Sequence, residues 1–180
     1  MGVAYVGTPL LPIQQAVGAA FASFTARQDI SPQPLQVSRA GSLQVGTKLV
    51  FHAAGEYSSL TGASLTLGFY FGTAAGAITQ QWETSVFTTG TTPTAWPWEL
   101  DMTLLVTALG TAGSCTAQGT CRLGTALTTI SVVPFPIVAA SRVVAIDTTI
   151  DRAWGVCATW GASSASNTIK TSQFTAILPH

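Results

Sequence analysis

The chain has 180 residues, enough for one domain with a single core that buries roughly 70% of its unfolded surface. Hydrophobic residues make up 47% of it and charged ones 8%, against roughly 25% charge in an average soluble protein, which excludes intrinsic disorder for most of its length. Seven Lys and Arg balance seven Asp and Glu, so there is no electrostatic footprint for a phosphate backbone or an anionic lipid surface, and neither nucleic acid nor membrane is expected as a partner.

Residues 1–40 differ from the rest. Pro9, Pro12, Pro32 and Pro34 punctuate them, and Ile13, Val17, Phe21 and Phe24 recur at helical spacing. The pattern predicts an N-terminal arm with a short amphipathic helix between Pro12 and Arg27, followed by an extended Ser-Pro-Gln-Pro segment. The apolar stripe of that helix either contacts another subunit or folds back over its own domain.

From Ser42 onward the signal is β, and residues 41–180 are expected to form one domain. A strand with a bulge at Gly46-Thr47 is predicted from Leu43 to Ala53, with Leu43, Val45, Leu49 and Phe51 on one face. Residues 64–71 alternate strictly, placing Leu65, Leu67, Phe69 and Phe71 inward. Further strands are predicted over 81–87 and 99–109, the latter with Leu100, Met102, Leu104, Val106 and Ala108 inward. Gly110 to Gly113 reads as a hairpin turn, and Gln118-Gly119 as a second reversal or a bulge. Strands over 126–133, 142–146, 152–160 and 168–178 complete the series. This succession indicates an all-β, antiparallel, jelly-roll-like β-sandwich preceded by the extended arm.

The usual carriers of catalysis are sparse. Two histidines, three cysteines and seven acidic residues are scattered singly, with no Gly-x-Ser-x-Gly elbow, Walker loop or His-Glu-x-x-His, so no enzyme is expected. His52 and Glu56 would lie about 13 Å apart along one strand, too far for a dyad. Cys115 and Cys121 bracket a segment that reads as a hairpin tip and would permit a bridge, while Cys157 stands alone; three free thiols are the preferred reading. With no second Cys pair and only His52 and His180, neither a metal site nor a cofactor is expected. Asp147 and Asp151 are better read as turn-capping residues than as calcium ligands. Trp82, Trp154 and Trp160 have core spacing. Trp96 and Trp98 flank Pro97 and serve as strand-start residues, as subunit-interface anchors or as a sugar-stacking platform.

The longest apolar run, Ile130 to Ala140, is interrupted by Pro134 and Pro136 and falls short of a membrane span. No basic residue precedes Arg27, which argues against a secretory leader. A chain so poor in charge is expected to have much of its surface covered by neighbouring subunits.

Three stretches carry a likeness to known proteins: Leu65-Thr-Leu-Gly-Phe-Tyr-Phe-Gly72, then Trp98-Glu-Leu with Met102 through Gly113, and Ala158-Thr-Trp-Gly-Ala-Ser-Ser-Ala-Ser-Asn-Thr-Ile169. Their order over residues 43–178 resembles the jelly-roll modules of tailed-bacteriophage heads and tail fibres. The resemblance implies a non-enzymatic virion component assembled in the host cytoplasm, of the capsid-decoration or minor-capsid type, attached to the capsid shell through its N-terminal arm, residues 1–40. Its implied partners are the major capsid protein or other virion subunits, and its own copies as a trimer or pentamer. Candidate interface residues are then Ile13, Val17, Phe21 and Phe24 on the arm, with Trp96 and Trp98. A tail, baseplate or fibre module binding host glycans is the alternative, and a free-standing lectin-like domain the second alternative.

Overall fold

The computed structural model describes residues 18–32, 36–74, 77–126, 128–136 and 142–177. The regular elements among them are all strands: β1 (Phe21–Ala22), β2 (Gln28–Asp29), β3 (Gln36–Ser38), β4 (Lys48–Ser58), β5 (Ser64–Gly72), β6 (Gln80–Glu83), β7 (Phe87–Thr88), β8 (Trp96–Ala108), β9 (Gly113–Ala126), β10 (Thr129–Phe135), β11 (Val143–Ile146), β12 (Arg152–Trp160) and β13 (Thr168–Ile177). They form two antiparallel sheets. The larger runs β1-β13-β4-β8-β9-β10 with β11 also on β9, and the smaller runs β2-β12-β5-β6 with β3 on β12 and β7 on β5.

The pleat sends alternate side chains to opposite faces, and the apolar set of each long strand meets the other sheet. Leu65, Leu67, Phe69 and Phe71 of β5 are buried, as are Leu100, Met102, Leu104 and Val106 of β8. Phe69 lies 5.6 Å from Phe51, 6.1 Å from Phe135 and 6.2 Å from Phe174, centroid to centroid. One residue of the smaller sheet thus touches three strands of the larger, which defines a β-sandwich. Phe71, Trp82 and Trp154 extend this aromatic layer, with the two indoles stacked at 6.5 Å. Each such side chain contributes about 1.5–3 kcal/mol by leaving water.

The structure departs from the sequence reading at four places. Residues 18–27 form no helix: Phe21 and Ala22 pair with Ile169 and Thr168, and Gly18 N–H donates to Thr171 at 2.8 Å. Phe21 and Phe24 both pack against the core, on either side of a bend in which Ser23 has a φ of 59°. Since β2 and β3 both pair with β12, residues 18–32 and 36–38 supply short strands to both sheets. Ile13 and Val17 lie outside the described residues.

Gly46 occupies a turn at φ 87° before β4 rather than a bulge within it, leaving Val45 exposed. The expected strand over 81–87 is two strands. Between them Thr84 bonds Leu67 through both its amide and its hydroxyl, replacing the ladder locally. Gln118-Gly119 is no reversal, because β9 runs straight through it with Gly119 opposite Met102 on one side and Phe135 on the other. A Cβ at Gly119 would sit 2.2 Å from the Asp101 carbonyl and 2.8 Å from the Phe135 ring, so the glycine serves close strand approach. Cys115 and Cys121 consequently lie six positions apart along one extended strand, roughly 20 Å, and cannot bridge.

Candidate functional site

The outer face of the larger sheet gathers much of the charge in this charge-poor chain. β4 buries Leu49, Phe51 and Ala53 and so turns His52 outward; β8 buries Leu100 and Met102 and turns out Glu99 and Asp101; β9 buries Cys121 and Leu123 and turns out Arg122. The register sets His52 opposite Asp101 and Glu99 opposite Arg122. His52 Nδ1 lies 2.8 Å from Asp101 Oδ1 and 3.8 Å from Glu99 Oε1. Arg122 Nη1 donates to Glu99 Oε2 at 2.7 Å and lies 3.6 Å from Asp101 Oδ2. The bond to Glu99 raises the Arg122 pKa above its usual value. One position along, Lys170 Nζ pairs with Glu56 Oε1 at 2.7 Å.

A His–Asp hydrogen bond is one half of an acyl-transfer triad, which also needs a hydroxyl or thiol at the other ring nitrogen. Among the described residues, the polar contacts of His52 are with Asp101 and Glu99 alone. The thiols are buried away from it, and burial pushes Cys115 and Cys121 up to about 12 and Cys157 higher still. Their thiolates, the reactive form, are suppressed.

Next to this network the sheet carries two hollows. One hollow of about 250 Å³ lies between Gly55, Pro97, Gly124 and Ile130, closed at one end by Glu99 and Arg122. It shares Pro97, Gly124 and Ile130 with a second of about 350 Å³ that reaches Trp96 and Ala126. Along its rim, edge strand β10 presents Ile130 at 60% exposure and Val132 at 58%. These two apolar side chains lie on the strand that ends the order of the larger sheet.

The residues singled out from sequence separate sharply. Trp98 is 2% exposed, a core side chain and not an interface anchor, because the β8 alternation begins with it inward. Trp96 is half-buried and lines the groove. Phe21 and Phe24 pack on their own sandwich. Asp147 Oδ1 accepts from the amide and hydroxyl of Thr149, at 2.9 Å and 2.6 Å. Asp151 accepts from Ala40 N–H and Arg39, both at 2.8 Å, so the two aspartates cap different segments. The four-residue network on β4, β8 and β9 was missed in the sequence. Its outward alternation was legible there, but which outward residues become neighbours depends on strand order.

No family model matches the chain, and comparison with curated proteins and with solved structures finds no match.

Proposed function

We propose that the protein is a non-enzymatic structural subunit of a bacteriophage virion, of the capsid-decoration or minor-capsid type, with a jelly-roll-like wrapping of its sandwich. It joins the major capsid protein or its own copies through apolar contacts. The observation that carries this reading is the groove at Trp96, Pro97 and Gly124 with the open Ile130 and Val132 of β10 beside it, on a chain with only 8% charge. Such a surface gains by being covered and offers little electrostatic repulsion between copies. A sugar platform is less well supported, since Trp98 is buried and Trp96 stands alone.

The test is the solution mass of the full chain by light scattering, beside that of Ile130→Arg. Truncation at residue 40 would be misleading, because it removes β1, β2 and β3 from both sheets. A trimer or pentamer that dissociates in Ile130→Arg, with circular dichroism unchanged, is expected. A monomeric wild-type chain that also fails to bind capsid particles overturns the proposal.

A further inference from the structure

We propose that His52 Nδ1, Glu99 Oε1 and Asp101 Oδ1 form a site for a divalent transition-metal ion of the zinc class on the outer face of the larger sheet. One possible ligand atom from each of the three side chains lies within 4.8 Å of the other two. The imidazole nitrogen is 2.8 Å from one carboxylate oxygen and 3.8 Å from the other. A zinc ion with ligands at about 2.0–2.2 Å in a tetrahedron sets its donor atoms roughly 3.3–3.6 Å apart, and the two spacings bracket that range.

Arg122 reaches in from β9 and engages the opposite oxygens, Glu99 Oε2 and Asp101 Oδ2. It orients both carboxylates while leaving free the atoms that face the imidazole, the arrangement in which outer partners hold metal-ligating carboxylates. Three possible ligand atoms converge there, and His52 Nδ1 donates to Asp101 in the tautomer that carries its ring proton on Nδ1. That proton can serve Asp101 but not Glu99 at 3.8 Å, whereas a dication in its place serves all three. Two carboxylates against one guanidinium leave the cluster negative when the imidazole is neutral. The imidazole selects zinc-class ions over magnesium and calcium, which prefer all-oxygen sites.

The three side chains are 34%, 35% and 41% exposed, open enough for an ion to enter from solvent. Beside Asp101 an open hollow of about 550 Å³, bordered by Lys48, Thr103, Gln118 and Thr120, leaves room for water to complete the coordination. An ion held here clamps β4 to β8.

Calorimetric titration of the full-length, chelator-stripped, tag-free chain with zinc chloride near neutral pH tests the site. One ion per chain is expected with micromolar affinity, weakened roughly tenfold or more in both His52→Ala and Asp101→Asn. Magnesium chloride should give no binding. Both substitutions are on the outer sheet face, and unchanged circular dichroism verifies that the fold survives. A wild-type chain that takes no zinc overturns the proposal. So does zinc binding that persists undiminished in both variants, which would place the ion elsewhere, for example on His180.

Discussion

The Tyr57 hydroxyl donates a hydrogen bond to the carbonyl oxygen of Gly124, linking β4 to β9 beneath the intervening β8. Burial raises the Tyr57 pKa to about 12, keeping the donor protonated throughout the physiological range. Tyr57→Phe retains the ring against Trp160, 6.4 Å away, but removes the bond to the buried Gly124 carbonyl. A loss of about 1–3 kcal/mol is expected in urea unfolding. An unchanged midpoint and slope would mean that the bond adds nothing to stability in solution.

Gly55 is the other point where β4 depends on a missing side chain. A Cβ there would stand 2.0 Å from the Lys170 carbonyl oxygen and 2.8 Å from the Trp98 ring. Backbone on one side and a fully packed indole on the other leave no room to yield, so Gly55→Ala should cost about 1–3 kcal/mol or more. At roughly 2–4 °C per kcal/mol for a domain of this size, calorimetry resolves it. A melting temperature equal to wild type would show that the sheet relaxes there freely.

The three thiols should be silent in the folded protein. Cys115 and Cys121 are raised to about 12 and Cys157 further, with burial the leading cause in each. A thiol-specific chromogenic reagent at mildly alkaline pH is expected to label none of them natively and all three after guanidinium unfolding. Rapid labelling of the native chain would contradict the burial of β9 and β12.

Asp147 and Asp151 are expected to contribute to the acid limb of stability. The Thr149 hydroxyl and amide hold Asp147 below the ordinary carboxyl value, and the Ala40 amide with Arg39 does the same for Asp151. A depressed folded pKa contributes stability that is complete above the unfolded value of 3.8 and disappears as pH falls through the lower folded one. Asp151→Asn should therefore be destabilised relative to wild type above about pH 5, with the difference closing toward about pH 2. A constant difference across denaturation curves over that range would exclude the linkage.

Much of the sandwich is legible locally because the pleat imposes a period of two on each strand. Leu65, Leu67, Phe69 and Phe71, and likewise Leu100 to Val106, announce both their strands and the face they bury. The same rule places Trp98 inward as the start of its strand, a reading that stood open beside an interface role. Where the rule failed, a single backbone feature intervened. The spacing of Phe21 and Phe24 that reads as helical spans a strand and a bend at Ser23, and the glycine that close strand approach requires at 119 reads as a turn.

The all-β class, the inward residues of the long strands and the scarcity of charge are properties of the sequence by itself, since each depends on residues within a few positions of one another. The meeting of His52 with Asp101 across 49 residues, of Tyr57 with Gly124 across 67, and the apolar hollow at Gly55 and Gly124 belong to the tertiary structure alone. Alternation fixes which way a side chain points, but its neighbours on that face follow from strand order and register. Those are selected by the packing of both sheets around one core.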